Sequence, residues 1–546
     1  MRRAARGRPE RRAAGADLER GGRFAFRAVV AIFGAILLAG SARVPLLDPD
    51  EARFARTSVE MLRSGDLVVP TFEGAPRLSK PPLVHWLQAA LYRPLGPTEL
   101  ASRIPAGAAA FGTLLLLGFA ARRRFGEEGA AWAAAAFASF PLVVALGKVG
   151  TIDALLSLHV FAALSLDLAA PPGERGRAGR AATIGAILGL AFLAKGPVGV
   201  IVPLLAMLAG RTATGRDPAP SARSAIAGAL ACCAVALPWG LAFVSRLGWD
   251  VAADLVRTEL LGRYFEESAH HAEPAWYYLL VVAAGLAPWA ATLAIGTGRA
   301  LARRRNPSAR TAAYSSAALL AGIAFLSIGR GKLPSYVLPL APLAAIVAAW
   351  EIGVEIESRA RGRLAPAAMA ASLALAGAAL LAVSATVPRP NVGLVAGAGA
   401  AIFAVAAVVA AFAVARRRVR VVHGAAAAAG LVFAGLAVAG LFPVLGREKS
   451  AYFLVEGTPE LRSDRPVVAV DKRIPSLCFY LDRVPEWVGR ADLGAALGRG
   501  DRPLFVLDEV DVPGIPAEAR EGLREVGRVG RYRVLEPRLD APRQPL

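Results

Sequence analysis

The residues able to do chemistry gather in a few short segments. The first reads Asp48-Pro-Asp50-Glu51-Ala-Arg53, three carboxylates and a guanidinium within six positions. Ser79-Lys80-Pro-Pro follows after about thirty residues, and Lys148-Val-Gly-Thr-Ile-Asp153 lies further along. Phe192-Leu-Ala-Lys195-Gly196-Pro197 and Arg330-Gly-Lys332-Leu-Pro-Ser-Tyr336 complete the set. Arg53, Lys80, Lys195, Arg330 and Lys332, with the phenol of Tyr336, form a set of cations fit to hold one anionic group. Asp50 and Asp153 add carboxylates able to accept or orient a proton. Cations holding a phosphate beside a carboxylate base suit group transfer from a lipid phosphate. A capping role competes for Asp50, which stands where it could open a helix over 51–63 beside Glu51.

The elements that must position these groups are apolar helices. Of 546 residues, 55% are hydrophobic and only 19% charged, with a mean hydropathy of +0.47. A soluble domain carries about 25% charge, and the excess here comes in long Ala/Leu/Val/Gly blocks. Thirteen candidate spans are read near 24–41, 104–121, 129–147, 152–170, 181–194, 197–210, 224–243, 276–298, 311–328, 336–350, 365–387, 391–415 and 423–443. The first is read as a retained span, because no small-residue cleavage site follows it.

Charge supplies an independent check. The net charge of +21 could suggest nucleic-acid binding, but the arginines cluster between spans, at 2–23, 122–124, 175–180, 211–223, 299–310, 359–363 and 416–420. With thirteen spans every cluster falls on one side, which the positive-inside rule makes the cytoplasm. No nucleic-acid partner is therefore expected; the partner is the bilayer. All six lysines, at 80, 148, 195, 332, 449 and 472, fall on the expected outer side or at an outer span end.

The expected organisation is a basic cytoplasmic arm, 1–23, and a helical membrane domain, 24–445, with a first outer loop at 42–103. An outer C-terminal α/β domain, 446–546, follows. Its strands are expected at 467–470, 504–507 and 532–535. The arms 1–22 and 538–546 read as unordered, and 82–92 as an interfacial amphipathic segment. Cys232, Cys233 and Cys478 form neither a disulfide framework nor a metal spacing.

These motifs, in this order, resemble the bacterial aminoarabinose transferases of the protein O-mannosyltransferase-like GT-C superfamily. The likeness takes in Asp48 to Ala55, Lys80-Pro-Pro-Leu, Arg103-Ile-Pro, Thr151-Ile-Asp153 and Phe192 to Pro197. It continues through Glu273-Pro-Ala-Trp-Tyr-Tyr, Lys332 to Tyr336 and Ser476 to Leu481. The resemblance implies a multi-pass enzyme of the bacterial inner membrane, with about thirteen GT-C-type helices and a small periplasmic α/β domain. It would move a sugar from a polyprenyl (undecaprenyl) phosphate to a lipid, glycan or protein acceptor, lipid A among them, with inversion. Asp50 matches the family's catalytic carboxylate and Asp153 a second pocket carboxylate. Glu51, Arg53, Lys80, Lys195, Arg330, Lys332 and Tyr336 would bind donor phosphate or substrate. The family carries a glutamate directly before the loop lysine, where it can join a histidine in binding metal. This chain has Ser79 there, with His270 and His271 near the matching histidine region, so a divalent metal is left open and no other cofactor is implied. A transporter of lipid-linked sugars is the alternative from another class, with Asp167 inside a span as its main support. A scaffold would leave the Asp50 and Lys80 motifs unexplained.

Overall fold

A computed structural model describes residues 2–170, 177–217, 220–258, 273–358, 363–497, 499, 501–515 and 520–538. Two compact units emerge: one of residues 1–39, 78–84 and 104–438, the other of 40–77, 85–103 and 439–546.

The first unit is helical. Its opening elements are α1 (Arg2–Leu38), α4 (Glu99–Ser139), α5 (Pro141–Lys148), α6 (Asp153–Ala169), α7 (Arg177–Lys195), α8 (Val198–Ala213) and α9 (Ala222–Leu247). The arm expected to be unordered continues α1 as helix, in keeping with its Ala, Arg and Glu content. Among the described residues, nine helices are long and apolar enough to cross a membrane. Two bent pairs, Pro141–Lys148 with Asp153–Ala169 and Tyr277–Gly285 with Ala290–Ala302, raise the number to eleven. The chain is thus a polytopic helical membrane protein. Gly126, at φ 71°, breaks the 41-residue α4 about two thirds of the way along it.

Buried charges inside this unit are paired. Asp167 accepts from Nε of Arg211 at 2.9 Å and from the Tyr314 hydroxyl at 2.6 Å. Glu351 pairs with Arg299, and Glu355 with Nε2 of His423 at 2.9 Å. The His423 ring stacks on Trp289, whose indole donates to Ser139 at 2.8 Å. Such groups are costly in a bilayer unless partnered. Asp167, the residue that favoured a transporter, is a tie between three helices.

In the second unit the first loop folds with the C-terminal segment. Here α2 (Asp50–Ser64) and α3 (Leu83–Leu95) lie with the pair β1 (Thr71–Phe72) and β2 (Ala75–Pro76). A five-stranded sheet has the order β4-β3-β5-β7-β6. It comprises β3 (Val467–Val470), β4 (Glu486–Val488), β5 (Leu504–Asp508), β6 (Leu523–Val529) and β7 (Tyr532–Pro537). β3 runs parallel to β4 and β5, while β7 is antiparallel to β5 and β6. The three expected strands are β3, β5 and β7. Leu46, Ala52 and Ala55 pack against Phe479 and Tyr480, so α2 is seated by its apolar face.

Candidate active site

Within the helical unit the sequence breaks create the site. Lys195 ends α7 because Gly196 takes a left-handed conformation, φ 71°, that only glycine adopts without strain. Its N–H closes on the Phe192 carbonyl at 2.6 Å, and Pro197 opens α8. Asp153 begins α6 after a 120° turn from α5. The two breaks deliver an ammonium and a carboxylate to one point, with Lys195 Nζ 2.5 Å from Asp153 Oδ1. The same ammonium stands 4.3 Å from the centre of the Tyr336 ring.

Beside Lys195 opens a cavity of about 170 Å³. Ser79, Lys80, Lys195 and Tyr336 give it a polar end, and Leu156, Val160, Phe192, Val202, Trp239 and Leu326 give apolar walls. Lys80 donates to the Ser79 carbonyl at 2.8 Å. Lys195 is paired with Asp153, and Lys80 is the second lysine of the lining. The cavity suits an amphiphile whose anionic head meets the lysines and whose chain meets the walls.

The expected convergence of five cations is only partly met. Lys332 is buried, yet its ammonium donates to the Glu273 carbonyl at 2.7 Å and it does not line the cavity. Glu273 N–H in turn donates to the Arg330 carbonyl at 3.2 Å, so this segment is a backbone clasp. Arg330 is exposed and likewise outside the lining. Sequence reasoning missed Trp239, which looked like one apolar residue of a span. It also gave Lys148 no partner, whereas that ammonium donates to the carbonyls of Leu37 and Ala39 at the end of α1.

Asp50, Glu51 and Arg53 belong to the second unit. Pro49, not Asp50, occupies the capping position of α2, and no side chain caps it. Asp50 is the first helical residue, its side chain 60% exposed and 3.5 Å from Arg53. The capping reading therefore fails, and the carboxylate is open. Glu51 differs: it is buried and accepts from Arg103 Nε and Nη2 at 2.8 and 2.9 Å and from Leu47 N–H at 2.9 Å. Arg103 also donates to the carbonyls of Ser41, Val44 and Pro45. Both Glu51 oxygens are occupied, so it shapes the loop entering α2. Asp48 accepts from the Ser476 N–H at 2.8 Å, from its hydroxyl, and from the Tyr532 hydroxyl at 2.9 Å. Burial pushes its carboxyl up to about 6.

Residues 79–239 match the dolichyl-phosphate-mannose-protein mannosyltransferase family. An undecaprenyl phosphate-alpha-4-amino-4-deoxy-L-arabinose arabinosyl transferase of Sodalis glossinidius is 33% identical over 308 residues, covering 56% of this chain. The chain spans about half the length of the curated relatives it matches, 55% in that case. The crystal structure of ArnT from Cupriavidus metallidurans bound to undecaprenyl phosphate superposes with a TM-score of 0.75. It is 22% identical and covers 94% of this chain and 98% of its own. This chain shares the fold of the aminoarabinose transferases. The archaeal oligosaccharyltransferase AglB from Archaeoglobus fulgidus is more distant, at a TM-score of 0.53 and 13% identity over 95% of this chain and 75% of its own.

The described residues do not assemble a metal site. Ser79 offers a neutral hydroxyl and no carboxylate. Among the described residues no three His, Cys, Asp or Glu side chains gather as ligands. His270 and His271 lie outside the described residues.

Proposed function

We propose that this protein transfers a sugar from a polyprenyl phosphate to an acceptor oxygen at the outer face of a bacterial inner membrane. The observation that carries this reading is the lysine-bearing, apolar-walled cavity at two helix breaks, in a fold shared with a transferase seen bound to undecaprenyl phosphate. The acceptor oxygen attacks the anomeric carbon from the face opposite the phosphate. The carbon–oxygen bond to phosphate breaks, and the electron pair leaves on the polyprenyl phosphate, giving inversion. Asp50, exposed and one turn from Arg53, is assigned the acceptor's proton. Lys80 and Lys195 are assigned the charge that grows on the departing phosphate, a contribution that is large when the cations are fixed beforehand. Asp153 and the Tyr336 ring fix Lys195, and Arg53, in the second unit, is assigned to substrate binding. Arg330 and Lys332 are assigned to hold the outer turn that carries Tyr336.

Lipid A is the acceptor we favour, by the resemblance to aminoarabinose transferases. Ser79 and the match to a protein mannosyltransferase family support a second reading, a protein or glycan hydroxyl. Counting the broken α4 as two spans, each bent pair as one and the apolar α8 as one gives thirteen. That parity supports a cytoplasmic N-terminus and a periplasmic C-terminal domain.

The test is transfer from radiolabelled polyprenyl phosphate sugars by full-length protein in proteoliposomes. Asp50→Asn is expected to abolish transfer while leaving donor binding intact. Full transfer by that variant removes Asp50 from the role of base. No transfer by the parent from any donor overturns the enzymatic reading. Mass spectrometry of envelope lipids and proteins after deletion identifies the acceptor.

A further inference from the structure

The helical unit carries a second concavity, unrelated to the cavity at Lys195. It is an open groove of about 490 Å³ between α1 and α4. Gly34 forms its floor, since a Cβ there would stand 3.3 Å from the Phe111 ring. Ala31 and Ala35 on one side and Leu115 on the other complete the apolar walls. From Phe26 to Leu38 the lining covers about 18 Å of helix at 1.5 Å per residue. Half of a bilayer core is about 15 Å thick, so the groove matches one acyl chain of one leaflet.

The end of the groove at Phe26 is basic. Phe26 packs against Gly118 of α4 with the Arg122 guanidinium 5.3 Å from its ring, and Arg27 lines the groove, so this end of the groove adjoins the turn of α4 that carries Arg122 to Arg124. Two of those arginines are committed: Arg122 to Glu127 at 2.9 Å and Arg124 to the Leu168 carbonyl at 3.1 Å. Arg123 lies over the Phe119 ring at 5.1 Å, and neither it nor Arg27 has a carboxylate within ion-pair distance among the described residues. Guanidinium groups match phosphate oxygens, and basic pockets between membrane helices bind anionic head groups.

We propose that this groove binds one anionic phospholipid, its acyl chain over Gly34 and its phosphate between Arg27 and Arg123. A zwitterionic lipid brings its own ammonium to the same two arginines and gains less.

The experiment uses the full-length chain, delipidated in mild detergent and followed by native mass spectrometry. Phosphatidylglycerol is expected to be retained as one molecule about thirtyfold better than phosphatidylethanolamine, the scale set by two head-group arginines. Arg27→Gln combined with Arg123→Gln is expected to erase that preference. Gly34→Leu, which fills the floor, is expected to weaken retention of both lipids. Soluble glycerol phosphate is expected not to displace the bound lipid. Equal retention of the two lipids by the parent overturns the proposal. So does an unchanged preference in the double variant, or displacement by glycerol phosphate, which would mark a simple phosphate site. An unaltered unfolding temperature in each variant separates loss of binding from loss of fold.

Discussion

Lysine does two kinds of work in this chain. At Lys148 and Lys332 the ammonium spends its donors on backbone carbonyls at helix ends and turns. At Lys195 it is held by a carboxylate on one side and an aromatic face on the other. Only the second kind leaves a cation preorganised for a ligand. Lys195→Met is therefore expected to lower kcat/KM for a polyprenyl phosphate sugar by about 100-fold, the scale for losing one fixed transition-state donor. Asp153→Asn, which keeps the cation but frees it, is expected to cost about tenfold; equal losses would mean that the two act as one unit. Asp48 sets a pH dependence in the second unit. Its folded-state carboxyl, raised to about 6 by burial, favours the protonated form. Its stabilising contribution is then full below about pH 4, the unfolded value, and is lost as pH rises through about 6. Fluorescence-monitored unfolding between pH 4 and 7 should show the midpoint falling across this window, and Asp48→Asn should flatten it.

Elements carry the next set of consequences. The break between α7 and α8 depends on Gly196 at φ 71°, and a Cβ there would also stand 3.9 Å from Pro81. Gly196→Ala is expected to cost about 1–2 kcal/mol and to displace Lys195, reducing transfer more than stability; thermal unfolding and turnover on the same preparation separate the two. The Glu51–Arg103 pair is fully buried, so Glu51→Gln leaves a guanidinium uncompensated and is expected to cost about 3–5 kcal/mol by chemical unfolding. How far sequence reaches is clear from these elements. The helix expected at 51–63 is Asp50–Ser64, and the Gly-Pro break falls where its residue types place it. β3, β5 and β7 were legible because each is a short apolar run. β4 and β6, with Glu486 and Arg524-Glu525 among their residues, carry no such signal; pairing and a few buried side chains, Val488 and Leu523 among them, hold them. The carbonyl partners of Arg103 were illegible because a long-range polar contact leaves no periodicity. The aims of Lys332 and Arg330 failed for the same reason: nearness to an outer turn does not say which way a side chain turns.

For the whole molecule, the positive-inside rule turns the placement of the +21 charge into a prediction of orientation. Single cysteines test it in a background lacking the native three. A cysteine at Ser463 should react with a membrane-impermeant maleimide on intact spheroplasts, and one at Ser308 only after permeabilisation. The reverse pattern would invert the topology and move the lysines to the cytoplasm. Cys478 is the single cysteine of residues 439–546; it is buried, donates to Glu73 at 3.2 Å, and burial raises its thiol well above the usual range. A thiol so protonated is a poor nucleophile. A segment with one inert sulfur has no internal disulfide to form and none to scramble. Its maturation is expected to be indifferent to thiol oxidases, and strains lacking them should yield the protein undiminished.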